Sequence, residues 1–190
     1  MGIPSYFSYI VKNHRKIIDK FNSNNIDNLY LDSNSIIYDC FHKLPKDIDI
    51  KLVEDTLIHN VCKQIDYYIK TINPRKRVFI AFDGVAPVAK MKQQRNRRYM
   101  SAFLKQIDAN NSTKWDTVQI SPGTPFMDKL GEYINNYYKT TNEFKHIDQL
   151  IVSCCDEAGE GEHKIFQYIR DNIIYHKETN TVVYGLDADL

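Results

Sequence analysis

Carboxylates recur where apolar, β-branched runs end. Asp32 follows Leu29-Tyr30-Leu31, Asp83 follows Ile80-Ala81-Phe82, Asp156 and Glu157 follow Val152-Ser153-Cys154-Cys155, and Asp187 and Asp189 follow Val183-Tyr184-Gly185-Leu186. Glu160 and Glu162 alternate with Gly159 and Gly161 just ahead of a helical pattern. Taken singly, each of these acids is an ordinary cap or turn residue. Together they are costly, because two carboxylates about 4 Å apart repel by roughly 4 kcal/mol at an effective dielectric of about 20. A cluster therefore takes up protons or recruits cations. Oxygen-only ligation selects hard ions such as Mg²⁺ or Mn²⁺. Two such ions about 3.5 to 4 Å apart suit an in-line phosphoryl displacement by water.

A second pattern is basic. Gly84 to Gln106 holds six Lys and Arg and no acid, whereas Ile147 to Glu162 holds five acids and no Lys or Arg. On a helix starting after Pro87, Lys90, Gln94, Arg97 and Arg98 fall at i, i+4, i+7 and i+8, within one arc. Tyr99 and Phe103 fall on the other side and are expected to pack. Guanidinium and ammonium groups beside an uncharged amide donor suit a terminal phosphate. Asp83-Gly84-Val85-Ala86-Pro87 joins this face directly to the acidic one. The 25 Lys+Arg against 24 Asp+Glu thus read as two opposed pockets that nearly cancel.

Converging these groups requires a scaffold. Asn28 to Asp32, Val78 to Asp83, Leu150 to Cys155 and Thr181 to Asp189 read as strands. Ser5 to Phe21, Leu52 to Ile72, Val88 to Ile107, Phe126 to Tyr138 and Glu162 to Ile173 read as helices, with Leu52, Leu57, Val61, Ile65 and Ile69 as one apolar stripe. Strands separated by helices predict an α/β fold, a mostly parallel central sheet with helices on both faces. The carboxyl ends of its strands would share one edge, and ligand crevices form there.

With 190 residues and 43% apolar side chains, the chain is not of the disordered class. It has no apolar run approaching the roughly 20 residues of a membrane span and no signal-peptide plan at Met1-Gly2-Ile3-Pro4. A cytoplasmic or nuclear protein that does not act on membranes is expected. Cys40, Cys62, Cys154 and Cys155 show no Cys-x-x-Cys spacing, so reduced, buried thiols are expected. The chain has no phosphate-binding loop of the Gly-x-x-x-x-Gly-Lys type, which disfavours a nucleotide switch.

Six motifs, in order, resemble the N-terminal catalytic region of the Xrn/Rat family of 5′→3′ exoribonucleases. They are Met1-Gly2-Ile3-Pro4; Leu31-Asp32-Ser33-Asn34-Ser35-Ile36-Ile37; Ala81 to Pro87 running on through Lys90 and Gln93 to Arg98; Ser121-Pro122-Gly123-Thr124 with Phe126-Met127; Gly159 to Lys164; and Tyr184 to Leu190. The resemblance implies a PIN/FEN-like nuclease core that degrades single-stranded RNA bearing a 5′ monophosphate, with Mg²⁺ or Mn²⁺ as two ions. It implies that Asp32, Asp83, Glu160, Glu162, Asp187 and Asp189 hold the metal. It further implies that Lys90, Gln94, Arg97 and Arg98 bind the 5′ phosphate and that Tyr38 stacks on the first base. By that pattern Asp156 and Glu157 are not ligands.

The chain departs from the family pattern in three places. Tyr38 stands where the family usually has His, keeping an aromatic face for stacking. Ala158 stands where Pro is usual. The family's catalytic region continues past the last Asp-x-Asp, so residues 1–190 are expected to be an exonuclease domain truncated at its C-terminal end, monomeric, and of uncertain activity alone. A flap-endonuclease-like DNA nuclease and a catalytically incomplete RNA 5′-end binder are the alternatives. The Asp-Gly-Val-Ala-Pro and Gln-Gln-Arg-x-Arg-Arg runs favour the exoribonuclease pattern over the first.

Overall fold

The computed structural model describes residues 5–17, 19, 25–45, 47–107 and 115–186, apart from the side chains of residues 97, 101, 102 and 104–107. Its centre is a four-stranded parallel sheet of β1 (Asn28–Asp32), β2 (Arg77–Ala81), β3 (Gln149–Ser153) and β4 (Thr181–Tyr184), in the order β3-β2-β1-β4. The strands follow the apolar runs because a strand covered on both faces reads as continuously apolar. Leu29, Tyr30 and Leu31 are all fully buried.

Alternation along the strands sorts their side chains between two layers. Leu29, Leu31, Val78 and Ile80 face α2 (Asn34–His42), α3 (Ile50–Ile72) and α5 (Pro125–Thr140), where they join the main core. Tyr30, Phe79 and Ala81 face the opposite layer and pack with Ile165, Tyr168 and Ile169 of α6 (Gly161–Asp171). The expected α/β architecture with helices on both faces is therefore observed. The chain also forms α1 (Tyr6–Asn13), α4 (Val88–Ile107) and α7 (Ile173–Lys177).

Local signals set the helix limits. Asp49 caps α3 by accepting from the Lys51 N–H at 3.0 Å, and Asn73 ends it in a left-handed conformation with φ 50°. The buried stripe of α3 is Val53, Leu57, Val61, Ile65 and Ile69, and Leu52 is exposed, so the expected stripe was one residue out at its start. Thr124 caps α5, and Pro125 occupies its first turn. Other differences from the sequence reading are local, and β2 and β3 each begin one residue before and end two residues before the expected limits. Among the described residues the Ser5 to Phe21 pattern gives α1, which ends at His14, and a 3-10 turn at Arg15–Ile17; residues 18, 20 and 21 lie outside them. The Glu162 to Ile173 pattern splits at Asn172 into α6 and α7. Helix α2 was not anticipated. Tyr99 and Phe103 do not pack: they are 69% and 58% exposed, since α4 leaves that side uncovered among the described residues.

All four cysteines are free and buried, and burial raises their thiol pKa values, to about 12 for Cys62 and about 11 for Cys154. Among the described residues no helix is long and apolar enough to cross a membrane.

The topology selects one end of the sheet. From β1 the chain reaches β2 on one side through α2 and α3, whereas β4 pairs on its other side after α6 and α7. Such a reversal opens a crevice beyond the carboxyl ends of the central strands. Asp32 closes β1 at that point.

Candidate functional site

Beyond the strands, backbone pairing continues and draws three segments together. The Ser33 N–H donates to the Ala81 carbonyl at 2.8 Å and the Phe82 N–H to the Ser153 carbonyl at 2.9 Å. The Gly84 N–H donates to the Gly159 carbonyl at 2.8 Å, and the Gly159 N–H to the Val85 carbonyl at 3.0 Å. This draws the turn before α6 onto the segment after β2. Gly84 makes the approach possible, because a β-carbon there would overlap the Glu157 carbonyl.

Asp83 sits at the join, two residues beyond β2. Its Oδ1 accepts from the Gly161 N–H at 2.8 Å, so an acid from the sheet caps a helix that begins 78 residues later. Its Oδ2 accepts from Asn34 Nδ2 at 2.7 Å. Burial raises the carboxyl above the usual carboxylate range and the Glu160 charge adds to this, while the Gly161 N–H, Lys164 and Lys90 pull the other way.

Gly161 brings α6 against Asp32. A β-carbon on it would collide with Asp32 Oδ1 and lie 3.1 Å from Asp32 Cγ and 3.3 Å from the Ala81 carbonyl oxygen. The first turn of α6 thus presents Glu160, which is buried, and Glu162, which is half-buried, beside Asp32 and Asp83. Lys90 Nζ lies 3.0 Å from Glu160 Oε2, an ion pair without hydrogen-bond alignment. His163 Nδ1 is 3.5 Å from Glu160 Oε2 and 3.8 Å from Glu162 Oε1, and one ligand atom from each of the three residues fits within a 4.8 Å group.

Two of the acids, Asp83 and Glu160, share one cleft of about 360 Å³ with the basic helix. Asp83 and Glu160 line one side, Lys90, Gln94 and Arg98 of α4 another, and Tyr38 and Asn34 of α2 a third. Arg98 Nη2 donates to the buried Ser121 Oγ at 2.8 Å, which ties α4 to the turn before α5. Tyr38 is 38% exposed.

The structure therefore brings Asp83, Glu160, Lys90, Gln94, Arg98 and Tyr38 into one cleft, with Asp32 against Gly161 at the start of α6 and Glu162 grouped with Glu160 and His163. Arg97 is on α4, and its side chain lies outside the described residues. Asp187 and Asp189 also lie outside them, beyond β4, whose Tyr184 is in register with Leu31. Asp156 and Glu157 are exposed, and Glu157 is turned back to accept from Ser153 Oγ.

Three residues had no assigned role in the sequence reading. Asn34 and His163 are described above. Lys164 donates from Nζ to the Phe82 carbonyl at 2.8 Å and the Cys154 carbonyl at 2.7 Å, fastening α6 to the ends of two strands. Its place in Glu160-Gly161-Glu162-His163-Lys164 suggests an exposed i,i+4 partner of Glu160, and only the fold shows otherwise.

The family described as XRN 5′-3′ exonuclease N-terminus matches residues 1–190. The chain belongs to this family. XRN relatives align with the whole of it: 5′-3′ exoribonuclease 1 of Saccharomyces cerevisiae is 38% identical over 209 residues, and 5′-3′ exoribonuclease 2 of Schizosaccharomyces pombe is 35% identical over 241 residues. The chain spans 14% of the first relative's length and 24% of the second's. Among the described residues Glu160, Glu162 and His163 offer one ligand atom each within a 4.8 Å group, and Asp83 lines the same cleft as Glu160, a donor set rich in the carboxylate oxygens that a hard divalent cation takes.

Proposed function

We propose that this XRN-family chain carries the catalytic face of a divalent-metal-dependent 5′→3′ exoribonuclease acting on RNA with a 5′ monophosphate. The observation that carries the reading is the shared cleft, with carboxylates on one wall and cationic and amide donors on the next, joined by the Lys90–Glu160 contact. The relatives' names supply RNA as the substrate class and 5′→3′ as the direction.

Asp32, Asp83, Glu160 and Glu162, with Asp187 and Asp189, would hold Mg²⁺ or Mn²⁺, as two ions. Bound there, the cations supply Lewis acidity for water attack on the phosphodiester. Gln94 and Arg98, with Arg97, grip the 5′ phosphate, and Lys90 lies between phosphate and acids. Tyr38 offers a ring for the first base. Holding the terminal phosphate fixes which phosphodiester lies beside the carboxylates, so removal proceeds from the 5′ end.

The test compares 5′-monophosphate and 5′-hydroxyl single-stranded RNA, scoring binding in EDTA and cleavage in Mg²⁺. The expected result is tighter binding of the monophosphate, with cleavage that EDTA abolishes. A charge-assisted contact is worth about 1.5 to 3 kcal/mol, so Arg98→Ala should cut the monophosphate preference about tenfold to a hundredfold. Equal binding of both ends, or an unchanged preference in Arg98→Ala, overturns the phosphate reading. Preferential cutting of 5′-flap DNA overturns the choice of substrate.

A further inference from the structure

We infer that Asn34 is a positioning residue that sets the orientation of the Asp83 carboxylate toward bound cations. The inference rests on the reading of the acid cluster as a cation site.

The contact is reciprocal across 49 residues of sequence. Asn34 Nδ2 donates to Asp83 Oδ2 at 2.7 Å, and the Asp83 N–H donates to Asn34 Oδ1 at 3.0 Å. From the opposite side the Gly161 N–H donates to Asp83 Oδ1 at 2.8 Å. Each carboxylate oxygen is thus held by a neutral donor, one from α2 and one from α6. Turning the carboxylate about its final torsion would break both bonds, whereas the lone pairs not used by these donors stay available to a metal.

The chemistry requires an amide at position 34. One side chain must accept from a backbone N–H and donate to a carboxylate at once. An ionised Asp has no donor, and Ser is too short to bridge the two atoms. A Lys in this place would supply a donor, but it would also cancel the charge that a cation needs. Two neutral donors orient Asp83 and still leave it anionic.

Asn34 is not occupied with local capping. Ser33 stands at the N-cap of α2 without a side-chain cap bond, and the Asn34 amide reaches instead to the segment after β2. Asn34 also lines the cleft that holds Asp83 and Glu160.

The test measures Mn²⁺ binding by the 190-residue chain without RNA, through the paramagnetic signal of the free ion, alongside thermal melting in EDTA. Wild type is compared with Asn34→Ala, Asn34→Ser and Asp83→Ala. Residues that orient metal ligands typically contribute about 10- to 100-fold to metal affinity, and that loss is expected in both Asn34 variants at temperatures where their melts in EDTA show them fully folded. Mn²⁺ binding at wild-type affinity in both Asn34 variants, with a loss in Asp83→Ala, overturns the role of Asn34 and leaves the cation reading standing. A loss of binding that only tracks a fall in melting temperature also overturns it, because that is the pattern of a structural residue. Equal Mn²⁺ binding by wild type and Asp83→Ala overturns the cation reading, and this inference with it.

Discussion

Replacing Gly161 with Ala adds a single methyl group where α6 meets the end of β1. That carbon would overlap Asp32 Oδ1 and stand 3.1 Å from Asp32 Cγ and 3.3 Å from the Ala81 carbonyl oxygen, both tighter than ordinary contact. Relief can come in two ways. Helix α6 can back away, which stretches the 2.8 Å bond from the Gly161 N–H to Asp83 and carries Glu160 and Glu162 outward. Alternatively Asp32 can rotate, which takes its carboxylate out of the cluster. Overpacking of this kind costs about 1 to 3 kcal/mol. At about 2 to 4 °C per kcal/mol for a chain of this size, the melting temperature should fall by about 2 to 12 °C. Either route misplaces a carboxylate by a good fraction of an ångström, for which a loss of about 100-fold in cleavage rate is the expected scale. The assays are a thermal melt in EDTA and single-turnover degradation of 5′-monophosphate RNA in saturating Mg²⁺. A variant that melts and cleaves like wild type would refute the argument that Gly161 is required for close approach.

Two further perturbations probe the framework. Lys164→Met keeps the aliphatic stem and removes the ammonium that serves the Phe82 and Cys154 carbonyls; the Cys154 carbonyl keeps the Glu157 N–H at 3.3 Å, so about 1 to 3 kcal/mol should be lost, chiefly at the Phe82 carbonyl, and urea melts matching wild type would contradict this role. At the opposite end of the sheet, the Asn180 N–H, with Lys76 and Arg75, holds the buried Asp27 carboxyl below the usual carboxylate range. The folded protein therefore binds that proton more weakly than the unfolded chain does, and the stability Asp27 contributes is present above the ordinary carboxylate pKa and lost as pH falls through the depressed one. Asp27→Asn should flatten that part of the acid limb in urea melts taken across pH, and an unaltered limb would exclude Asp27 as its source.

The sheet was legible because buried parallel strands leave dense apolar runs, and Asn28–Asp32 is observed with the expected limits. The long helices α3, α4 and α5 were legible because their period persists over many turns. Helix α2 was not, since its nine residues begin with Asn34 and Ser35, which read as turn formers after Asp32. The helical period also misled where it had no partner. It placed Tyr99 and Phe103 on a packing face, yet periodicity reports which side chains share a side of a helix and not whether anything covers that side. In the site, the acids and the Lys90, Gln94 and Arg98 row announced themselves by charge type and spacing. Asn34 and Lys164 did not, because their partners lie 49 and 82 residues away and a neutral amide or a lone Lys carries no local signature of such a tie.

The bond from Gly161 to Asp83 spans 78 residues, and this has a consequence for how the chain matures. Contacts so distant in sequence form late, after the loops they close have been ordered, and parallel crossovers are slow to assemble. During synthesis at about 5 to 20 residues per second, β1 and β2 emerge seconds before α6 exists to meet them. Until then only the β1–β2 pairing and the Asn34 amide can hold Asp32 and Asp83 near each other, and the Gly161 N–H that meets Asp83 from the opposite side has not been made. The acidic cluster is therefore completed only when α6 docks, and a nascent chain that stops before α6 holds Asp32 and Asp83 without the glutamates of the Glu160-Gly161-Glu162 turn beside them.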